Sequence, residues 1–492
     1  MKKNKLLSLS AIVLICFSMT NCDNKSNNEN IEDVITLNVY NCADYISETE
    51  TIDGEKVLGT MDQFVEYCKT TLNKNVEIKY STYETNEDLY NQLKAGGIDY
   101  DLVCPSEYMI EKMLINDMLL PLDKKVENYE TYGSPYIKEV FNGLKTKVGE
   151  KEVNFADYAI PYMWGTMGFM YNPNAEGIEE AIHSWDIIWD ENFKNKTSLK
   201  DSIRDTYITG TFHVFKEELE LIKKLYDDGY YSDAQYNQHI ADIMNRCDDD
   251  TLVLVEAALK KAKENIYEFE VDTGKENIIK GKYDVNLCWS GDAVYALDLA
   301  EEEDFYLNYV IPEEGSNIWF DGWVIPKSSK NPNLAQELMN FICRPEIARQ
   351  NMEYIGYTSA IAGQEIWELV QEWYEAEDGE ATTEYDLTYF FNGTGIVDEN
   401  NTQLSKFVIN TAEVNRQLYA QYPDAETIKR CAVMKDFGTQ ADAVSEMWIR
   451  VKGNSASWVI FVFLGVIVAF VILFEVKNSY SKRARKNRNK NR

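Results

Sequence analysis

The sequence predicts an α/β fold organised in two or more lobes, followed by a C-terminal transmembrane helix. Strand-like and helix-like segments alternate through the body of the chain, as they do when a mostly parallel sheet carries helices on its faces. At 492 residues, 45% of them hydrophobic, the chain is longer than one compact core serves. Near the C-terminus, Ala456 to Phe474 carries no charge and is almost wholly apolar. At about 1.5 Å per residue such a helix crosses a hydrocarbon layer of roughly 30 Å.

The elements follow in order. Thr36 to Tyr40 predicts a strand, Met61 to Leu72 a helix, Val76 to Tyr80 a second strand, Asn86 to Ala95 a second helix, and Tyr100 to Val103 a third strand ended by Pro105. In open parallel sheets ligands gather beyond the carboxyl ends of strands, which singles out Asn41 to Tyr45, Ser81 to Thr85 and Pro105 to Tyr108. A second α/β region opens near Ala159 and contains an unusually helical, charged stretch from Phe212 to Asn265. Its strand Val285 to Trp289 runs into Ser290-Gly291-Asp292, and after a turn at Ile311 to Gly315 come a strand, Trp319 to Ile325, and a helix, Leu334 to Phe341. Residues 362–415 are acidic and aromatic and read as a surface insertion.

The two ends agree on one topology. Lys2, Lys3 and Lys5 precede an apolar run from Leu6 to Phe17, the pattern of a secretory signal. Ser18-Met19-Thr20-Asn21-Cys22 is similar to the lipobox of bacterial lipoproteins, which would make Cys22 a lipidation site; Asn21 departs from the small residue usual there. The polar residues 23–35 form a tether. Beyond the apolar run 456–474, residues 475–492 carry Lys477, Lys482, Arg483, Arg485, Lys486, Arg488, Lys490 and Arg492, so the tail is expected in the cytoplasm and the body outside. Directly after a membrane span, such a tail suits anionic lipid better than nucleic acid.

The chain holds 82 acidic against 49 basic residues, and eleven of the basic ones sit in the signal and the tail. The exported body is therefore more acidic than the net −33 of the whole chain. A field of that sign attracts cations and repels nucleic acid, though it also serves solubility alone. Cys42, Cys68, Cys104, Cys247, Cys288, Cys343 and Cys431 show no paired spacing, and His183, His213 and His239 stand far apart. Neither a disulfide framework, a metal centre nor a cofactor is expected.

Several segments recur in the order of a known family. They include Leu37-Asn38-Val39-Tyr40-Asn41, Tyr80 to Glu87, Tyr100-Asp101-Leu102-Val103-Cys104-Pro105-Ser106, Ile160-Pro161-Tyr162-Met163-Trp164-Gly165, Trp289-Ser290-Gly291-Asp292-Ala293, Ile311 to Gly315, Ile355-Gly356-Tyr357 and Tyr422 to Ile428. From about residue 36 to 452 the chain resembles the spermidine/putrescine-binding proteins of polyamine ABC transporters. The resemblance implies a two-lobe periplasmic-binding-protein-like fold of type II. Residues 36–158 with about 321–361 would form one lobe, and 159–320 with about 416–452 the other. It also implies a polyamine ligand, ABC permease subunits as partners, and no enzymatic activity.

A polyamine is a string of ammonium groups on methylene spacers, so burying one requires carboxylates for the charges and aromatic faces for the spacers. By resemblance, Asp44, Asp205, Asp292 and Asp321 are the acidic contacts, Trp289 and Trp319 the stacking aromatics, and Tyr45, Ser106, Tyr108 and Tyr357 the hydroxyl contacts. Read without the family, Asp44 and Asp205 are equally helix caps, the two tryptophans core residues, and Ser106 and Tyr108 parts of a turn. Cys42 stands where the family has a tryptophan and Ala43 where it has Thr or Ser, while Ser202 occupies a position that is acidic in spermidine-preferring members, Asp292 matches the acidic position of putrescine-preferring ones, and Met434 falls where a polar contact is expected. These departures favour putrescine, with Asp44 and Asp321 on one ammonium and Asp205 and Asp292 on the other. The competing readings are an exported hydrolase using paired carboxylates and a binding-fold sensor for another organic cation.

Overall fold

The computed structural model describes residues 34–453, apart from 53, 395 and 398–403. The signal, Cys22, most of the tether, the apolar run 456–474 and the basic tail lie outside the described residues. Among those described, no helix is long and apolar enough to cross a membrane.

The chain opens with β1 (Ile35–Cys42), α1 (Thr60–Thr70), β2 (Val76–Tyr83), α2 (Asn86–Ala95), β3 (Leu102–Val103) and α3 (Glu107–Ile115). β1 lies between β2 and β3, parallel to both. It runs past the expected end at Tyr40 because Asn41 and Cys42 still pair with Thr82 and Tyr83. The helix α2 starts where Thr85 accepts from the Asp88 amide at 3.1 Å and stops at Gly96, whose φ of 70° a side chain would resist.

The second region comprises β4 (Ala159–Tyr171), β5 (Thr197–Lys200), α4 (Ile203–Val214), α5 (Lys216–Asp227), α6 (Asp233–Met244), α7 (Asp249–Asn265), β6 (Glu268–Glu270), β7 (Val285–Trp289), α8 (Ser290–Glu302), β8 (Ser316–Pro326) and α9 (Pro332–Ile342). Here β5 lies between β6 and β7, again parallel to both. All 13 residues of β4 are buried, so it shows none of the alternation that marks a half-exposed strand. It pairs antiparallel with β8 and, further along, with β7.

The strand order is β6-β5-β7-β4-β8-β3-β1-β2. Two parallel triplets running in opposite directions are thus joined through the long antiparallel pair β4 and β8. Their carboxyl ends converge on the middle of that pair, where Trp289 pairs with Met167 and Ser106 bridges Asp321. One core cluster gathers Val39, Phe64, Leu102, Trp164, Phe320 and Trp323. A second gathers Phe169, Trp185, Leu199, Phe212 and Leu287, so β4 and the residues around it serve both.

Residues 362–415 are not a surface excursion. Their aromatics Trp367, Tyr385, Phe390, Phe391 and Phe407 are buried in the first core, with Phe390 stacked on Trp164 at 5.8 Å between ring centroids. The acidic residues lie among apolar positions spaced to leave one face dry. In the helix Gln364–Tyr374, Ile366, Trp367, Leu369 and Val370 turn inward while Glu368 and Glu372 face solvent.

Candidate functional site

The convergence of strand ends builds a cleft around two carboxylates. Asp321 lies on β8 opposite Ser106, the residue before α3, and the bridge between their backbones brings the side chains together. The Ser106 hydroxyl donates to Oδ1 of Asp321 at 2.6 Å and the Tyr45 hydroxyl to Oδ2 at 2.5 Å. Ser106 is fixed in turn by Asn86, which donates to its oxygen at 2.9 Å and accepts from its amide at 3.1 Å. Burial lifts the Asp321 carboxyl to about 6, against the pull of the two hydroxyl donors. Among the described residues no lysine or arginine forms an ion pair with it.

Tyrosines connect this carboxylate to the second. The Tyr45 ring meets Tyr357 edge to face at 5.3 Å, and Trp319 lies 5.7 Å from Tyr357. The Tyr357 hydroxyl then donates to Oδ1 of Asp292 at 3.2 Å. Gly291 is required here, because a Cβ would overlap the Tyr357 ring. Asp292 stands in the first turn of α8. Burial raises its carboxyl, but Lys200 and Lys275 outweigh that and hold it below the usual range.

Those lysines add basic side chains to a site for which the resemblance implied carboxylates, aromatics and hydroxyls. Lys200 ends β5 with its Nζ 3.2 Å from Asp292 and 3.3 Å from Glu270, and it sits 4.5 Å above the centre of the Trp289 ring. Lys275 approaches Asp292 at 3.4 Å. The strand-end rule would have reached Lys200 had the short strand Thr197–Lys200 been identified. Lys275 carries no comparable signal.

The other expected residues differ in their surroundings. Asp44 is exposed on a turn at a left-handed φ of 52° and caps none of the described helices. Asp205 is buried, its backbone amide donating to the Ser202 hydroxyl that caps α4. Burial raises its carboxyl, against hydrogen bonds from Ser202 and the Trp289 indole. Tyr108 is no free hydroxyl contact: its ring carries the Arg204 guanidinium at 4.5 Å, and its hydroxyl reaches Glu87 at 3.4 Å. Trp319 is both core and cleft wall, whereas Trp289 is half-buried with one face taken by Lys200. Cys42, in place of the family's tryptophan, is pushed up to about 12 by burial and by Asp321. Met434 packs in the second core. Of the two carboxylates, Asp292 is met by two lysines and Asp321 by hydroxyls, so the charge that no described side chain balances lies at Asp321.

Comparison with known proteins bears on the same residues. Residues 62–376 match the family described as bacterial extracellular solute-binding protein. The spermidine/putrescine-binding periplasmic protein of Escherichia coli (strain K12) is 26% identical over 427 residues, 86% of this chain and 93% of that protein. The putrescine-binding periplasmic protein PotF of the same strain is 26% identical over 332 residues, 66% of this chain and 78% of its own length. Among solved structures, the spermidine/putrescine ABC transporter substrate-binding protein PotD from Streptococcus pneumoniae aligns at 26% identity with a TM-score of 0.53, covering 85% of this chain and 98% of that one. The α/β two-lobe periplasmic-binding-protein fold is therefore common to both. Because the match runs from α1 through β8 and takes in both carboxylates of the cleft, the chain belongs to the bacterial extracellular solute-binding proteins.

Proposed function

We propose that this chain captures polyamines, putrescine or spermidine, outside the cytoplasm and delivers them to the permease of an ABC transporter without transforming them. The observation that carries the reading is Asp321, a carboxylate set among Tyr45, Ser106 and the rings of Tyr357 and Trp319, with no ion-pair partner among the described residues. An ammonium seated there would recover the charge pairing that burial denies Asp321, and the methylenes would lie along aromatic faces. The relatives named above lend the ligand class. A ligand held between the triplets would favour the closed arrangement, the usual signal of occupancy to a permease. A carboxylate-dependent hydrolase would need a protonated acid beside an ionised partner across one bond, and Asp292 is instead engaged by two lysines.

We place the body outside the membrane, anchored through the helix predicted at 456–474 and by a lipid on Cys22, with the basic tail in the cytoplasm. Calorimetric titration of the full chain in detergent tests the ligand: putrescine or spermidine should release heat and raise the melting temperature, whereas neutral sugars and anionic amino acids should not. Failure of every di- and polyamine to shift melting at millimolar concentration would remove the reading.

A further inference from the structure

Asp292 is the second carboxylate of the cleft, and a cation of the protein already occupies it. The Lys200 side chain is only 3% exposed. Its Nζ is held by Asp292 at 3.2 Å, Glu270 at 3.3 Å and the Val271 carbonyl at 2.6 Å, with the Trp289 ring 4.5 Å below. Carboxylate, carbonyl and aromatic face are what a buried alkylammonium requires. Lys275 adds a second positive charge at 3.4 Å from Asp292. Two lysines thus balance Asp292 and Glu270, while Asp321 across the cleft meets only hydroxyl donors.

We propose that Lys200 is a resident ammonium that fills the second cationic subsite, so that the unaltered cleft takes a single ligand ammonium, at Asp321. The inference rests on the polyamine reading of the same cleft and narrows it. A second ligand ammonium driven toward Asp292 would meet two like charges at short range, where repulsion is poorly screened. The preferred ligand is therefore a short primary amine whose far end is neutral or reaches solvent, and Lys200 sets that preference.

Two variants of the full chain in detergent test this by titration with putrescine and with N-acetylputrescine, which has one ammonium. Asp292→Asn should change the putrescine affinity by less than about threefold, because Asp292 serves Lys200 rather than the ligand. Lys200→Met should bind putrescine at least about tenfold more tightly and leave N-acetylputrescine unchanged, since Asp292 and Glu270 become available to the second ammonium. If that variant melts early, because Glu270 loses its ammonium and Asp292 keeps only Lys275, saturating putrescine should restore its melting point and N-acetylputrescine should not. A tenfold or greater loss of putrescine binding in Asp292→Asn overturns the inference while leaving the polyamine reading intact. So does a folded Lys200→Met with no gain. If the unaltered chain and Lys200→Met both ignore every amine, the polyamine reading itself has failed.

Discussion

Asp321 on β8 and Glu107, which accepts from the amide of neighbouring Phe320, are both carboxyls that burial drives toward protonation, with different consequences. An ammonium binds the ionised form of Asp321, whose carboxyl burial lifts to about 6. Putrescine affinity should therefore be flat above pH 7 and fall as pH drops through 6, approaching tenfold per unit below it. Titration across that range checks this, and Asp321→Asn should abolish the slope. The same substitution should cost about 2–5 kcal/mol of binding, roughly 30-fold to several thousandfold, because the ammonium loses its counter-charge. Glu107 is pushed further, to about 8, by burial against the pull of backbone amides. One of its oxygens accepts from the Phe320 amide at 2.9 Å and the other is buried without a hydrogen-bond partner. The folded state keeps a proton that the unfolded chain releases above about 4.5, so this group's contribution to stability falls as pH rises from about 4.5 to 8. Glu107→Gln should flatten that decline in melting temperature against pH; parallel curves for the two proteins would refute the assignment.

At the scale of elements, the segment 362–415 shows how a composition can mislead. Its acidic residues suggested solvent, yet Trp367 stacks on Phe407 at 3.8 Å and Phe390 meets Tyr422 at 5.1 Å in the first core. The strand Thr382–Asp386 pairs with Lys406–Asn410 to close the unit. If it were a surface appendage, shortening one ring would leave stability unchanged. Phe390→Ala should instead destabilise the fold by about 3–5 kcal/mol, read as a lower melting temperature, because the cavity opens against Trp164 and Tyr422. The strands of the first triplet were legible because β1 and β2 alternate apolar and polar residues and β3 is a short apolar pair close before Pro105. β4 was not delimited, since a strand buried on both faces has no period to detect.

Across the whole molecule, contacts between the triplets hold the cleft walls together. Arg204 on α4 packs over Tyr108 on α3, and the Asp436 amide donates to Glu111 at 2.8 Å. The proposed orientation of the body rests on the sequence of segments 6–17 and 456–492. Protease added to intact cells should digest an epitope near residue 240 and spare one at Arg492; the reverse pattern would rule out the proposed topology.

The sequence by itself determined the alternation of elements, the strand ends where the cleft forms, and the family, because these depend on local patterns and on the order of short motifs. The resemblance also named Asp321, Tyr45, Ser106, Asp292 and Tyr357, which the structure links by hydrogen bonds and ring contacts. Only the tertiary structure decided what each carboxylate meets. Lys200 and Asp292 are separated by 92 residues, and Tyr45 and Asp321 by 276. Charge pairing at such separations has no period or spacing, so it appears only once the two triplets close on the same few ångströms.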